Sequence, residues 1–165
     1  MFKMSNIFIG LAISTISILI PQISEACSCV YEGKFEDYVG QGIVIRGKIL
    51  SYGDQLDHDK TLVRSMNVEV LDVVKGEFNI SKIEIYGDDG GLCLEYVNPK
   101  KFQIGSEFLF GVYGDGQEQY LGGCGESSLL IQDGKIRGSD WIDYEIVPYQ
   151  LDYHGYIARL NAKKP

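Results

Sequence analysis

The chain has 165 residues, 45% of them hydrophobic, enough for one domain with its own core. Its 23 acidic residues outnumber 15 basic ones, and at a net charge of −8 no basic stripe exists to hold nucleic acid or an anionic membrane. The four cysteines and two histidines, His58 and His154, show no Cys-x-x-Cys or His-x-x-x-His spacing, which argues against an intrinsic zinc site or a bound cofactor.

Residues 1–26 have the pattern of a secretory signal. Lys3 supplies a positive n-region, residues 7–20 an apolar h-region, and Pro21 a break; Ser24-Glu25-Ala26 then puts small residues at the −3 and −1 positions. The apolar run is short of the roughly 20 residues that span a bilayer, so no membrane contact is expected after cleavage. The mature chain, 27–165, would begin at Cys27 with a free α-amino group, as a monomer that is secreted or periplasmic. Cysteines behind an export signal are expected to form disulfides.

In the mature chain, residues 32–39 place Phe35, Tyr38 and Val39 at helical spacing, predicting one or two turns stopped by Gly40 and Gly42. Residues 43–50 are β-branched and mostly apolar, a strand in which Gly47 predicts a bulge. A polar loop over 51–61 leads to a long strand over 62–74, with Met66, Val68, Val70 and Asp72 on one face. Lys75-Gly76 is a turn, and residues 80–86 alternate cleanly as a third strand. The loop 87–91 runs into Leu92-Cys93. Residues 107–113 and 119–121 make strands four and five, the last running towards Cys124.

Beyond residue 132 a C-terminal extension is expected. Asp133-Gly134 is a two-residue hairpin signal, and 148–162 has helical character with Pro148 in its first turn. Leu151, Ile157 and Leu160 would then face inward. With no repeats or linker-like seams, 27–165 is predicted to be a single domain. Five short antiparallel strands with marginal helices suit a mainly β, closed barrel of the oligonucleotide/oligosaccharide-binding (OB) kind, although a sandwich shares the pattern.

Cys27-Ser28-Cys29 concentrates half the cysteines at the mature N-terminus. A bridge between Cys27 and Cys29 would close a tiny loop near the upper limit of disulfide geometry. Each is therefore expected to bond one of Cys93 and Cys124, and two such bridges would each contribute about 4 kcal/mol in the chain-entropy model.

The order Cys-Ser-Cys, then Ile-Val-Ile-Arg-Gly-Lys, Val-Val-Lys-Gly, a lone Cys93 and a lone Cys124 resembles the tissue inhibitors of metalloproteinases. The likeness is to their N-terminal inhibitory domain, a netrin-like OB-type barrel, and covers about residues 27–131. The chain departs from that family in lacking the third disulfide of the domain, the cysteine-rich C-terminal subdomain and the prolines after Cys-x-Cys, here Val30-Tyr31-Glu32. The resemblance implies the pairing Cys27–Cys93 and Cys29–Cys124. It further implies that the Cys27 amine and carbonyl chelate the zinc of a partner protease. Ser28 would enter the specificity pocket, and Cys29, Val30, Gly91 and Leu92 would extend the contact ridge. The other function the resemblance allows is a netrin-like module that binds a different extracytoplasmic protein.

An enzyme is not expected: there is no nucleophile elbow, triad context or phosphate loop. His58 and His154 are expected to be solvated or hydrogen-bonded. Asp54, Asp57 and Asp59, and the pair Asp88-Asp89, lack calcium-loop spacing and are expected to be solvated loops. Residues 141–144, with Trp141 and Tyr144, are expected to pack in the C-terminal core.

Overall fold

The computed structural model describes residues 33–40, 42–55, 62–88, 93–142 and 145–162, with the backbone alone over 139–147. Helix α1 (Phe35–Val39) is followed by β1 (Ile43–Tyr52), β2 (Ser65–Lys75), β3 (Lys82–Tyr86), β4 (Glu107–Asp115) and β5 (Glu118–Tyr120). Then come β6 (Ser128–Gln132), β7 (Lys135–Ile142), β8 (Glu145–Asp152) and helix α2 (Tyr153–Ala162). No helix among the described residues is long and apolar enough to cross a membrane.

The sheet order is β1-β2-β3-β5-β4-β6-β7-β8, and an additional β1–β4 pairing closes the first five strands into a barrel. The protein is thus mainly β, a closed five-stranded barrel with two helices, compatible with the OB-type architecture. One expectation needs correcting: the strands are not all antiparallel. β3 and β5 run parallel, Glu84 opposite Glu118 and Tyr86 opposite Tyr120, and this pair completes the ring. Strand β4 serves three neighbours. Ile43 to Lys48 of β1 pair along one edge. On the other, Tyr113 to Asp115 meet β5, and Glu107 to Phe110 meet β6.

The predicted bulge is present, with a register shift between Arg46 and Gly47 in the β1–β2 ladder. A Cβ on Gly47 would lie 2.4 Å from Val68 Cγ1 and 3.2 Å from Phe110 Cε2, so only glycine lets β1 coil this tightly over the barrel interior.

β1 and β4 bury both faces. Ile45 and Ile49, with Phe108 and Phe110, point into the barrel beside Phe102, Met66, Val68, Ile83 and Ile85. Val44 and Leu109 point outward into a second core with Phe35, Val39, Leu129, Ile136, Tyr156 and Leu160. That explains the unbroken apolar runs Ile43-Val44-Ile45 and Phe108-Leu109-Phe110: a strand covered on two sides has no polar face to alternate with.

The C-terminal extension differs from its expectation. The Asp133-Gly134 turn does join β6 to β7, both residues having positive φ (54° and 71°). Residues 145–152, however, form a strand that pairs with β7 at the edge of the described sheet, with Pro148 opposite Ser139. Proline is tolerated at an edge because its missing N–H can face away from the partner strand. The helix therefore begins at Tyr153, and the Asp152 carboxylate accepts the Gly155 N–H at 2.8 Å as its cap. Leu160 and Tyr156 are its buried residues, with Ile157 packed at the margin; Leu151 packs there too, from β8.

Candidate functional site

The expected site residues Cys27, Ser28, Cys29, Val30, Gly91 and Leu92 lie outside the described residues, as do His58, Asp57, Asp59 and Asp89. What the structure describes beside them is the base of the 88–94 connection, built from the exit of β3 and the exit of β5. After Tyr86, the Gly87 N–H donates to Arg64 O at 3.0 Å, and the Asp88 N–H to Glu95 O at 3.2 Å. The Leu94 N–H returns to the Asp88 carboxylate at 3.2 Å, so the connection between 88 and 94 is closed at its base by one side chain.

Asp88 corrects the sequence expectation. Only 6% exposed, it is a buried hydrogen-bond acceptor and not a solvated loop residue, with the Leu94 amide brought back to its carboxylate.

Across this base runs a second short segment. Leu94 and Gly122 form an antiparallel bridge, the Glu95 N–H donates to Leu121 O at 2.9 Å, and the Gly123 N–H donates to Cys93 O at 2.8 Å. A Cβ on Gly123 would sit 2.7 Å from Leu94 O and 2.9 Å from Cys93 O, so glycine is what permits the two backbones to meet. Cys93 and Cys124 are thereby brought to neighbouring segments, although 31 positions separate their numbers. Cys93 adopts a left-handed backbone (φ 55°), uncommon for a residue with a Cβ. No cysteine among the described residues is free.

Two side chains missed by sequence reasoning hold this base to the rest of the molecule. Tyr38 of α1 accepts the Gly122 N–H at 2.7 Å, and burial pushes its phenol up despite that hydrogen bond. Glu95 receives hydrogen bonds from Ser127 and Ser128 Oγ and an ion pair from Lys101, tying the 93–95 segment to the start of β6. A glutamate among apolar neighbours (Leu94, Val97) was the only sequence signal available for it. Among the described residues no group of three histidines, cysteines, aspartates or glutamates could hold a metal ion.

A concavity of about 730 Å³ lies elsewhere, between the start of β4, the β6–β7 turn and the start of α2. Its floor is structural: the Arg46 guanidinium bonds Glu107 (Nε–Oε2 2.9 Å) and lies 5.4 Å from the centre of the Tyr153 ring. His154 lines it, exposed and edge-on to Tyr153. Arg46 and Gly47 of the Ile-Arg-Gly-Lys stretch thus have complete structural roles, one in an ion pair and one in a bulge.

Searches with the chain against protein-family models, curated proteins and solved structures return no match in any of the three.

Proposed function

We propose that the mature chain is an extracytoplasmic inhibitor of zinc metalloproteases, similar in design to the netrin-like N-terminal domain of the tissue inhibitors. In this reading the barrel is of the OB type, and disulfides Cys27–Cys93 and Cys29–Cys124 clamp the N-terminus to it. One observation carries the reading: the two distant cysteines stand on segments bonded by Gly123 N–H to Cys93 O. Cys27 and Cys29 are separated by one residue, and in an extended segment i and i+2 share a face about 6–7 Å apart, suited to two neighbouring receivers.

A clamped terminus presents the Cys27 amine and carbonyl as a rigid chelate for the open coordination position of a protease zinc. An α-amine has a reference pKa of about 7.7–8.0, so its neutral form is populated near pH 7 and the metal displaces the remaining proton to solvent. Rigidity lowers the ordering cost of binding. Ser28 then faces the specificity pocket, and the loop carrying Gly91 and Leu92 flanks it.

The test is to compare the mature protein starting at Cys27 with N-acetylated and alanine-extended forms against a zinc metalloprotease. The free form should inhibit and both blocked forms should not; inhibition by a blocked form refutes the chelate. A second reading, a netrin-like module that binds another extracytoplasmic protein, is favoured by the exposed Tyr96 and Tyr113, large apolar side chains the fold leaves uncovered.

A further inference from the structure

The register of β4, β5 and β3 assembles a two-row surface on the outside of the barrel. Tyr113 pairs with Tyr120, and Tyr120 with Tyr86; one step along, Asp115 pairs with Glu118, and Glu118 with Glu84. Residues two apart on a strand share a face, so three phenol rings run beside three carboxylates. The rings are in contact, with centroids 5.9 Å apart for Tyr113–Tyr120 and 5.8 Å for Tyr86–Tyr120. Tyr113 is 48% exposed, and Asp115 and Glu118 are exposed as well. Glu84 is oriented by hydrogen bonds from Ser65 Oγ (2.5 Å) and Tyr86 Oη (2.9 Å).

Like charges directly opposite on paired strands destabilise a sheet. Among the described residues, the ion pairs Arg46–Glu107 and Lys101–Glu95 lie outside this row. Lys82, next on the same face of β3, lines a shallow hollow with Glu84 and Glu118 yet makes no ion pair with either. Nor are the carboxylates grouped closely enough to hold one metal ion. A cation suited to this face would meet a ring on one side and a carboxylate on the other. Arginine meets both demands, since its planar guanidinium stacks on a phenol while its N–H fork reaches an acid.

We propose that this face docks an arginine-bearing segment of another extracytoplasmic protein. The proposal names the partner chemistry of the second reading above and rests on it, and is independent of zinc chelation by Cys27.

The experiment titrates the mature protein with fluorescently labelled hexa-arginine, with hexa-lysine alongside, using Glu77→Gln as a control. That substitution removes one negative charge at an exposed position in the β2–β3 turn. Glu118→Gln is expected to weaken hexa-arginine binding about three- to fivefold, the worth of one exposed ion pair. Tyr113→Ala should weaken it by a similar factor and erase the preference for arginine over lysine. Glu77→Gln should leave affinity unchanged. Equal loss from Glu118→Gln and Glu77→Gln would overturn the proposal, reducing the binding to attraction by net charge. Because Glu118 is exposed, its variant decides the matter even if Tyr113→Ala disturbs folding. N-acetylated protein should bind the peptide as the free form does, whatever it does to a protease; loss on acetylation would move the site to the N-terminus and also overturn the proposal.

Discussion

The two cores of this protein solve different problems. Inside the barrel, the rings of Phe102, Phe108 and Phe110 pack with centroids 5.2 to 6.2 Å apart, and Gly47 gives up its side chain so that Val68 and Phe110 can fit. The outer core, between the barrel wall, the β7–β8 hairpin and both helices, is edged with phenols. Tyr149 donates to Glu126 at 2.8 Å. The Tyr156 hydroxyl is buried with no hydrogen bond among the described residues, near Glu36 and Glu126. A closed ring of strands fixes the shape of its interior, so it must be filled by volume. A joint between separate layers can shift slightly and admit polar tips.

The comparison breaks most sharply under truncation. Phe108→Ala should cost about 3–5 kcal/mol, since the ring of strands cannot collapse onto the cavity, whereas Leu160→Ala on α2 should fall near the lower end of about 2–5 kcal/mol. Urea midpoints at constant slope measure both, and equal losses would mean that the outer core is as rigid as the barrel.

Gly47→Ala probes the opposite insult. The added methyl meets Val68 Cγ1 at 2.4 Å, and overpacking of this kind should cost about 1–3 kcal/mol in the same assay. A neutral result would show that β1 can uncoil at the bulge.

Tyr156→Phe should have the smallest effect at neutral pH, within about 1 kcal/mol, because the buried hydroxyl it removes makes no close hydrogen bond among the described residues. Its signature lies in alkali. Burial, first of all, holds the Tyr156 and Tyr149 phenols well above their ordinary value, while in the unfolded chain they ionise near pH 10. Stability from these groups is therefore complete below about pH 10 and is lost as pH rises beyond it, since the folded state then binds more protons. The Phe variant should flatten that decline; an unchanged slope would assign it to other groups.

Much of the architecture is legible from residue order. The strand at 82–86 alternates because one face lines the barrel, and the bulge at Gly47 follows from a glycine inside a β-branched run. The Asp133-Gly134 turn needs two left-handed residues, which those two tolerate. The edge strand at 145–152 was hidden because Pro148 reads equally as a helix start or as an edge residue, and local sequence does not say whether a partner strand lies alongside. Asp88 was misjudged for a related reason: an aspartate in a glycine-rich loop looks solvated until the returning chain buries it.

Periodicity, turn chemistry and cysteine placement, all local properties, were enough to settle a mainly β chain with a barrel-like strand count. Three matters depended on contacts between residues far apart in number: the parallel β3–β5 closure, the approach of Cys93 to Cys124 across Gly123, and the alignment of the tyrosine and carboxylate rows. Each follows from strand register. Register is an outcome of how all the strands pack around one core, so no segment encodes it alone.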